Sequence, residues 1–178
     1  YGWTEPVSEA LEMISGDYFT ILGADDLIDK DYIKKIVGVI STAPDRIKLL
    51  QTPIRSISAT GETFGQVIGH SYKNLQEFKS SLFVKCPVTT PSVVYSTELY
   101  RQGMIEWDSE AWVGAADYNL YFSLADRGYF IYPYPKWLGY YYRWHEGQST
   151  WGMQKDFSQI DDKIRQYWKT RWSHGTER

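Results

Sequence analysis

Asp17-Tyr18-Phe19-Thr20-Ile21-Leu22-Gly23-Ala24-Asp25-Asp26 is the stretch from which the fold is read. Tyr18 to Leu22 form an apolar, β-prone run that stops at a glycine, and two adjacent carboxylates follow at once. Unbroken apolarity over so few residues predicts a strand buried on both faces, as in a parallel sheet. In open α/β sheets, ligands bind beyond the carboxyl ends of such strands. Asp25 and Asp26 stand there, where hard oxygen ligands suit Mg²⁺ or Mn²⁺ held against a diphosphate. On spacing alone, a cap or turn role for the same two acids stays open.

Outward from this stretch, helical and strand patterns alternate. Upstream, Val7, Ala10, Leu11 and Ile14 recur at helical spacing, with Thr4 as cap, Pro6 in the first turn and Gly16 as stop. The chain opens at Tyr1 without an initiator Met and enters this helix almost immediately, which reads as a cut domain start. Downstream, Ile33, Ile36, Val37 and Ile40 predict an amphipathic helix, opened near Asp29 and closed before Pro44. Residues 47–57 read as one strand, 59–62 as a turn and 71–81 as a polar helix. Pro91 to Tyr95 reads as a short buried strand leading into a helix over 97–102, and 107–114 as a loop. An apolar helix over 115–126 stops at Gly128. Strands over 129–132 and 138–144 follow, then the loop from His145 to Ser149, a last helix over 160–172 and a polar tail. With no repeat and no linker, this alternation predicts one α/β domain over 1–178, a largely parallel sheet flanked by helices.

Composition narrows the function classes. At 178 residues and 43% hydrophobic content, the chain can bury a core. A net charge of −3 and a pI near 5.6 leave no electrostatic footprint for nucleic acid. A single cysteine, Cys86, excludes an internal disulfide framework and fits a reducing compartment. No apolar run reaches membrane-span length, and no signal peptide is visible. The expected location is the cytoplasm or the inner face of a membrane. Eight Trp, fifteen Tyr and seven Phe offer faces for sugar rings or bases, most of them serving as packing.

Three further residues carry chemistry. Asp117, near the start of an apolar helix, gains from the helix dipole, which keeps a carboxylate ionised and able to act as a base; a first-turn acid is the plainer alternative. His145 follows an aromatic strand, where an imidazole can ligate a metal or touch a phosphate; a merely solvated loop histidine is the plainer alternative. Arg143 can bind an anionic leaving group through its fork of donors, or pair with a surface acid.

The order of these signals is more specific than any one of them. Strand-GADDL, then PSVVYSTELY, then AADYNLYFSLADRGYFIY, then YYYRWHEGQST resembles the latter part of family-2 glycosyltransferases, inverting enzymes of the GT-A fold. The resemblance runs from Gly2 to about Ser149, with Gly2, Gly16, Asp17, Tyr18, Leu22, Asp25 and Asp26 at matching places. The family's Glu-Asp-Tyr-Asp-Leu-Trp helix matches Ala116 to Tyr121, and its Arg-x-His ending matches Arg143-Trp144-His145. The resemblance implies a GT-A-like (Rossmann-like) domain incomplete at its N-terminus. It makes Asp117 the general base and implies Mn²⁺ or Mg²⁺ held by Asp25 and His145. Gly23, Asp25, Asp26 and Arg143 would lie at the donor. Trp107 and Trp112 are candidate acceptor platforms, and the loops over 60–83 and 107–114 would choose the acceptor. The implied partners are a nucleoside-diphosphate sugar and a carbohydrate or lipid-linked carbohydrate acceptor, with self-association through exposed sheet edges.

The chain departs from the family pattern at Gly23, where the first acid of Asp-x-Asp would stand, and at Ser8, Ala116 and Asn119. The family's base-reading first half is absent from this sequence. Two other classes are weighed against the transferase. One is a non-catalytic carbohydrate-binding or assembly module of the same descent. The other is a phosphotransferase or nucleotidyltransferase, which needs a phosphate-cradling glycine loop of a kind not present here.

Overall fold

The computed structural model describes residues 4–134 and 136–174, with 149–158 as backbone only. Gly2 and the polar tail after His174 lie outside the described residues. Two four-stranded sheets are flanked by helices. The first has the order β1 (Tyr18–Thr20), β6 (Val93–Ser96), β3 (Leu49–Gln51), β7 (Tyr132–Pro133). The second has the order β2 (Leu27–Ile28), β8 (Tyr140–Arg143), β4 (Ile54–Ile57), β5 (Thr63–Ile68). The helices are α1 (Thr4–Glu12), α2 (Tyr32–Ile40), α3 (Leu75–Val84), α4 (Thr97–Arg101), α5 (Ser109–Trp112), α6 (Ala116–Asp126) and α7 (Ser149–His174).

The mixed α/β class is as expected, but the largely parallel sheet is not. Among the described residues, only β3–β7 and β4–β8 pair in parallel; β1–β6, β3–β6, β2–β8 and β4–β5 are antiparallel. The inference from apolarity to direction fails for a physical reason. Every residue of β6 is buried, yet it runs antiparallel between β1 and β3. Two-sided burial reports layers above and below a strand, not the direction of its neighbours. β1 also differs from expectation: it is an edge of its sheet, with Phe19 buried and Tyr18 and Thr20 half-buried.

The strand expected over 47–57 is divided between the two sheets. Pro53 cannot donate to a ladder, so β3 stops at Gln51 and β4 begins again at Ile54 in the other sheet. After Gly61, at φ 94°, the chain returns as β5, a wholly exposed strand that the pattern does not announce. The expected loop over 107–114 contains the short α5, capped by Asp108, whose carboxylate accepts from Ala111 N–H at 2.9 Å. The expected strand over 129–132 shrinks to Tyr132–Pro133.

Helix α6 carries Asp117 in its first turn, and α3 packs against it. Helix α3 is opened by Asn74, whose Oδ1 accepts from Glu77 N–H at 2.9 Å, while Glu77 reaches back to Lys73 N–H at 2.9 Å, a reciprocal cap. Helix α6 is the spine of the main core: Tyr118, Leu120, Tyr121, Phe122, Leu124 and Ala125 are all buried. Trp168 of α7 stacks on Phe122 at 5.8 Å and 7°, and its indole N–H donates to Asn119 Oδ1 at 2.9 Å. The asparagine that departs from the family pattern thus has a structural partner. Among the described residues, no helix is long and apolar enough to cross a membrane.

Candidate functional site

The loop after β1 is built around the Asp26 carboxylate. Asp26 N–H donates to Gly23 O at 3.1 Å, closing a tight turn. The carboxylate, 9% exposed, then reaches across to the second sheet. Tyr140 O–H donates to its Oδ2 at 2.6 Å, and Arg143 N–H to its Oδ1 at 2.7 Å. Gly23 N–H in turn donates to the Tyr140 hydroxyl at 3.2 Å, so glycine, tyrosine and carboxylate form a closed ring. Burial pushes the Asp26 carboxyl up from its ordinary value, and the two donors pull it back down. Asp26 is a strut that ties the loop of one sheet to a strand of the other.

This ring explains Gly23. A Cβ there would lie 2.6 Å from Asp26 Oδ2 and 3.1 Å from its Cγ. No side chain, least of all a carboxylate, fits at 23 while Asp26 holds its place. The departure from Asp-x-Asp is therefore linked to the way Asp26 is used.

Arg143 reinforces the same loop. Its Nε donates to Asp25 O at 2.6 Å, and its Nη1 to Ser58 O at 3.0 Å and Ala59 O at 2.9 Å. The guanidinium spends three contacts on backbone carbonyls, pinning the β4–β5 turn beneath the acids. The segment after β8 is held by Trp144 N–H to Ile57 O at 2.9 Å and by Gln148 Nε2–H to Arg143 O. It delivers His145, whose Nε2 lies 2.7 Å from Asp25 Oδ2. Both side chains of this pair are about one third exposed, at 33% and 38%. One carboxylate and one imidazole converge at the surface, and among the described residues no group of three or more His, Cys, Asp or Glu could hold a metal ion. The Asp25 carboxylate is of the oxygen type that Mg²⁺ or Mn²⁺ takes together with water and substrate phosphates, while the His145 imidazole is engaged in a hydrogen bond to that same carboxylate.

Asp117 occupies the first turn of α6, half-buried. Its Oδ1 accepts from Tyr118 N–H at 2.7 Å and its Oδ2 from Thr90 O–H at 2.5 Å. Burial pushes this carboxyl up, and the Thr90 and Tyr118 donors oppose the shift. A carboxylate with a raised pKa is a better proton acceptor near neutral pH. The turn over Thr90–Ser92 that carries Thr90 packs against β8, which carries the Asp26 partners. Trp107 and Trp112 are turned to packing: Trp107 meets Tyr95 edge-on at 5.9 Å, and Trp112 meets Tyr167 of α7 at 5.7 Å.

The structure thus brings Asp25, Asp26, Arg143 and His145 together around Gly23, and sets Asp117 against Thr90. A groove of about 1320 Å³ between α3 and α7 touches none of them. Thr90, Tyr121 and Tyr140 are site residues that the sequence pattern does not single out. The hydroxyl-rich run Thr89-Thr90-Pro91-Ser92 beside a buried strand is the signal available for the first of them.

No family model matches the chain, and no curated protein does. Solved structures do. The crystal structure of S. aureus TarS 1-349 in complex with UDP-GlcNAc is similar over 83% of this chain and 40% of its own, at 19% identity and a TM-score of 0.63. TarS 1-349 in complex with UDP gives 88% and 42%, at 17% identity and a TM-score of 0.60. TarS 1-349 alone gives 90% and 43%, at 18% identity and a TM-score of 0.59. The likeness establishes a shared α/β fold, and the chain spans less than half of the structures it matches.

Proposed function

We propose that this chain is part of a glycosyltransferase that moves a sugar from a nucleoside-diphosphate donor to an acceptor hydroxyl with inversion. The observation that carries the reading is the meeting of Asp25 with His145 at 2.7 Å, on a loop locked by Asp26 and Arg143. The fold shared with structures that bind UDP and UDP-GlcNAc supports it.

Asp117 is the base. It takes the acceptor hydroxyl's proton as that oxygen forms a bond to the anomeric carbon from the face opposite the leaving group. The bond from the anomeric carbon to the diphosphate oxygen breaks, and the nucleoside diphosphate leaves with the electron pair. One displacement inverts the anomeric centre. Asp25 and His145 are the residues that would hold Mg²⁺ or Mn²⁺, which neutralises diphosphate charge when bound. Asp26 and Gly23 shape the loop on which the diphosphate lies, and Arg143 keeps the Asp25 carbonyl and the β4–β5 turn in place beside it.

The test is thermal unfolding with UDP, GDP, CDP and dTDP, each with and without Mn²⁺. A ligand that binds only the native state raises its stability by mass action. One diphosphate is expected to stabilise the chain in a Mn²⁺-dependent manner, and Asp25→Ala to remove the effect. Stabilisation that persists undiminished in Asp25→Ala and His145→Ala would overturn the site.

A further inference from the structure

Behind Asp117 stands a line of hydroxyls that the proposed reaction does not use. Tyr121 O–H donates to Thr90 Oγ1 at 2.9 Å, and Thr90 O–H donates to Asp117 Oδ2 at 2.5 Å. The Tyr121 hydroxyl lies 3.3 Å from that of Tyr95. Tyr121 and Tyr95 are completely buried. Asp117 and Tyr121 stand four apart on α6 and so share a face, while Thr90 comes from the turn before β6 and Tyr95 from β6 itself. Sheet and helix therefore meet through these hydroxyls.

The turn that presents Thr90 is itself fixed. Buried Gln51 of β3 accepts from Thr89 N–H at 3.1 Å through Oε1, and donates through Nε2 to the Tyr72 hydroxyl at 2.6 Å and to Pro87 O at 3.2 Å. Ser92 O–H lies 2.8 Å from Thr52 O. A threonine on a turn held at both ends cannot follow Asp117 if the carboxylate rotates. The carboxylate must instead conform to the threonine.

We propose that Thr90 and Tyr121 are positioning residues for Asp117, forming with Tyr95 a hydroxyl relay that fixes the carboxylate's orientation and holds it ionised. The proposal rests on Asp117 as the base. A carboxylate offers about four lone-pair sites. Thr90 takes one on Oδ2 and Tyr118 N–H one on Oδ1, so the sites left for an acceptor hydroxyl have fixed directions. Among the described residues, the titratable groups in electrostatic contact with Asp117 are Cys86, Tyr95, Tyr121 and, on α7, Asp161. None of these is a cation, so among them the ionised form is favoured by hydrogen bonds and the helix N-terminus.

The test is an NMR titration of the Asp117 side-chain carboxyl carbon, assigned with Asp117→Asn, in the full chain and in Thr90→Val, Thr90→Ser and Tyr121→Phe. Removing a donor from the charged form raises the pKa, so Thr90→Val is expected to move Asp117 upward by about one pH unit. Thr90→Ser, which keeps the hydroxyl, is expected to restore the wild-type value, and Tyr121→Phe to give a smaller upward shift. Indistinguishable titrations in all four proteins would overturn the relay. If Thr90→Val fails to fold, Tyr121→Phe, which keeps its ring in the core, carries the same test: a wild-type titration in it overturns the relay. Turnover of UDP-GlcNAc is followed separately in the same variants. Carboxyl shifts without turnover in the wild type uphold the relay and count against the base; turnover whose acid limb moves with the carboxyl upholds both.

Discussion

Adding one methyl group at Gly23 tests how the acid loop is built. The Cβ of Gly23→Ala would meet Asp26 Oδ2 at 2.6 Å, about 1 Å inside ordinary contact, so the carboxylate must move. It has little room, being 9% exposed and gripped by Tyr140 O–H at 2.6 Å and Arg143 N–H at 2.7 Å. A shift that relieves the clash breaks the Tyr140 bond and leaves that hydroxyl, on a residue 1% exposed, without its acceptor. Losing one hydrogen bond to a charged group costs about 2–3 kcal/mol. For a chain of this size that corresponds to a Tm lower by about 5–10 °C. Gly38→Ala is the control. Gly38 lies on the exposed face of α2 with nothing within 4 Å of its would-be Cβ, and alanine there is expected to stabilise by about 0.5–1 kcal/mol. The assay is thermal unfolding followed by circular dichroism at neutral pH. A Gly23→Ala chain that melts within about 2 °C of the wild type would refute the ring of Gly23, Tyr140 and Asp26 as the loop's foundation.

Burial raises the Asp117 pKa, so the native state binds this proton more tightly than the unfolded chain. Its contribution to stability is full below the ordinary carboxylate value and falls as pH rises through the raised native one; Asp117→Asn is expected to flatten that part of the stability–pH curve, as read by urea unfolding at several pH values. Trp168→Ala is expected to cost about 3–5 kcal/mol, because it removes a 5%-exposed ring stacked on Phe122 and the donor to Asn119. Asn119→Ala, which keeps the stack, is expected to cost only about 1 kcal/mol, and equal losses in the two variants would argue against the stack as the main term. Arg143→Lys is expected to behave as a loss rather than a conservative change, since an ammonium cannot reach the Asp25, Ser58 and Ala59 carbonyls with fork geometry; hydrogen exchange at the β4–β5 turn should quicken.

Periodicity locates helices α1, α2, α4 and α6 well because each buries one stripe or the whole of its surface, and that demand is written every third or fourth residue. It fails at β5, where all six residues are exposed and no face imposes alternation. The break at Pro53 is legible from the missing N–H, but the move of β4 into a second sheet depends on what β8 offers, more than eighty residues away. The site divides in the same way. That Asp25, Asp26, Arg143 and His145 come together is foreseen from their order along the chain. Their division of labour is not, because nothing local says that Asp26 is a strut while Asp25 meets the imidazole. Tyr140 stands in a run of aromatic residues in which any one could turn inward. Thr90 becomes visible only when the sheet and α6 are brought together.

Helix α6 has a mechanical side as well. Its N-terminal turn carries Asp117, its middle accepts the Trp168 indole at Asn119, and its last residue, Asp126, accepts Trp172 Nε1–H at 2.8 Å and Arg171 Nε–H at 3.1 Å. From Asp117 to Asp126 the helix spans about 14 Å at the standard rise. Two indole clamps therefore fasten α7 along a rod whose other end is the carboxylate. The C-terminal half of α7 is thereby tied to α6 at two points a turn and more apart, so the two helices are expected to shift as one body rather than slide past each other.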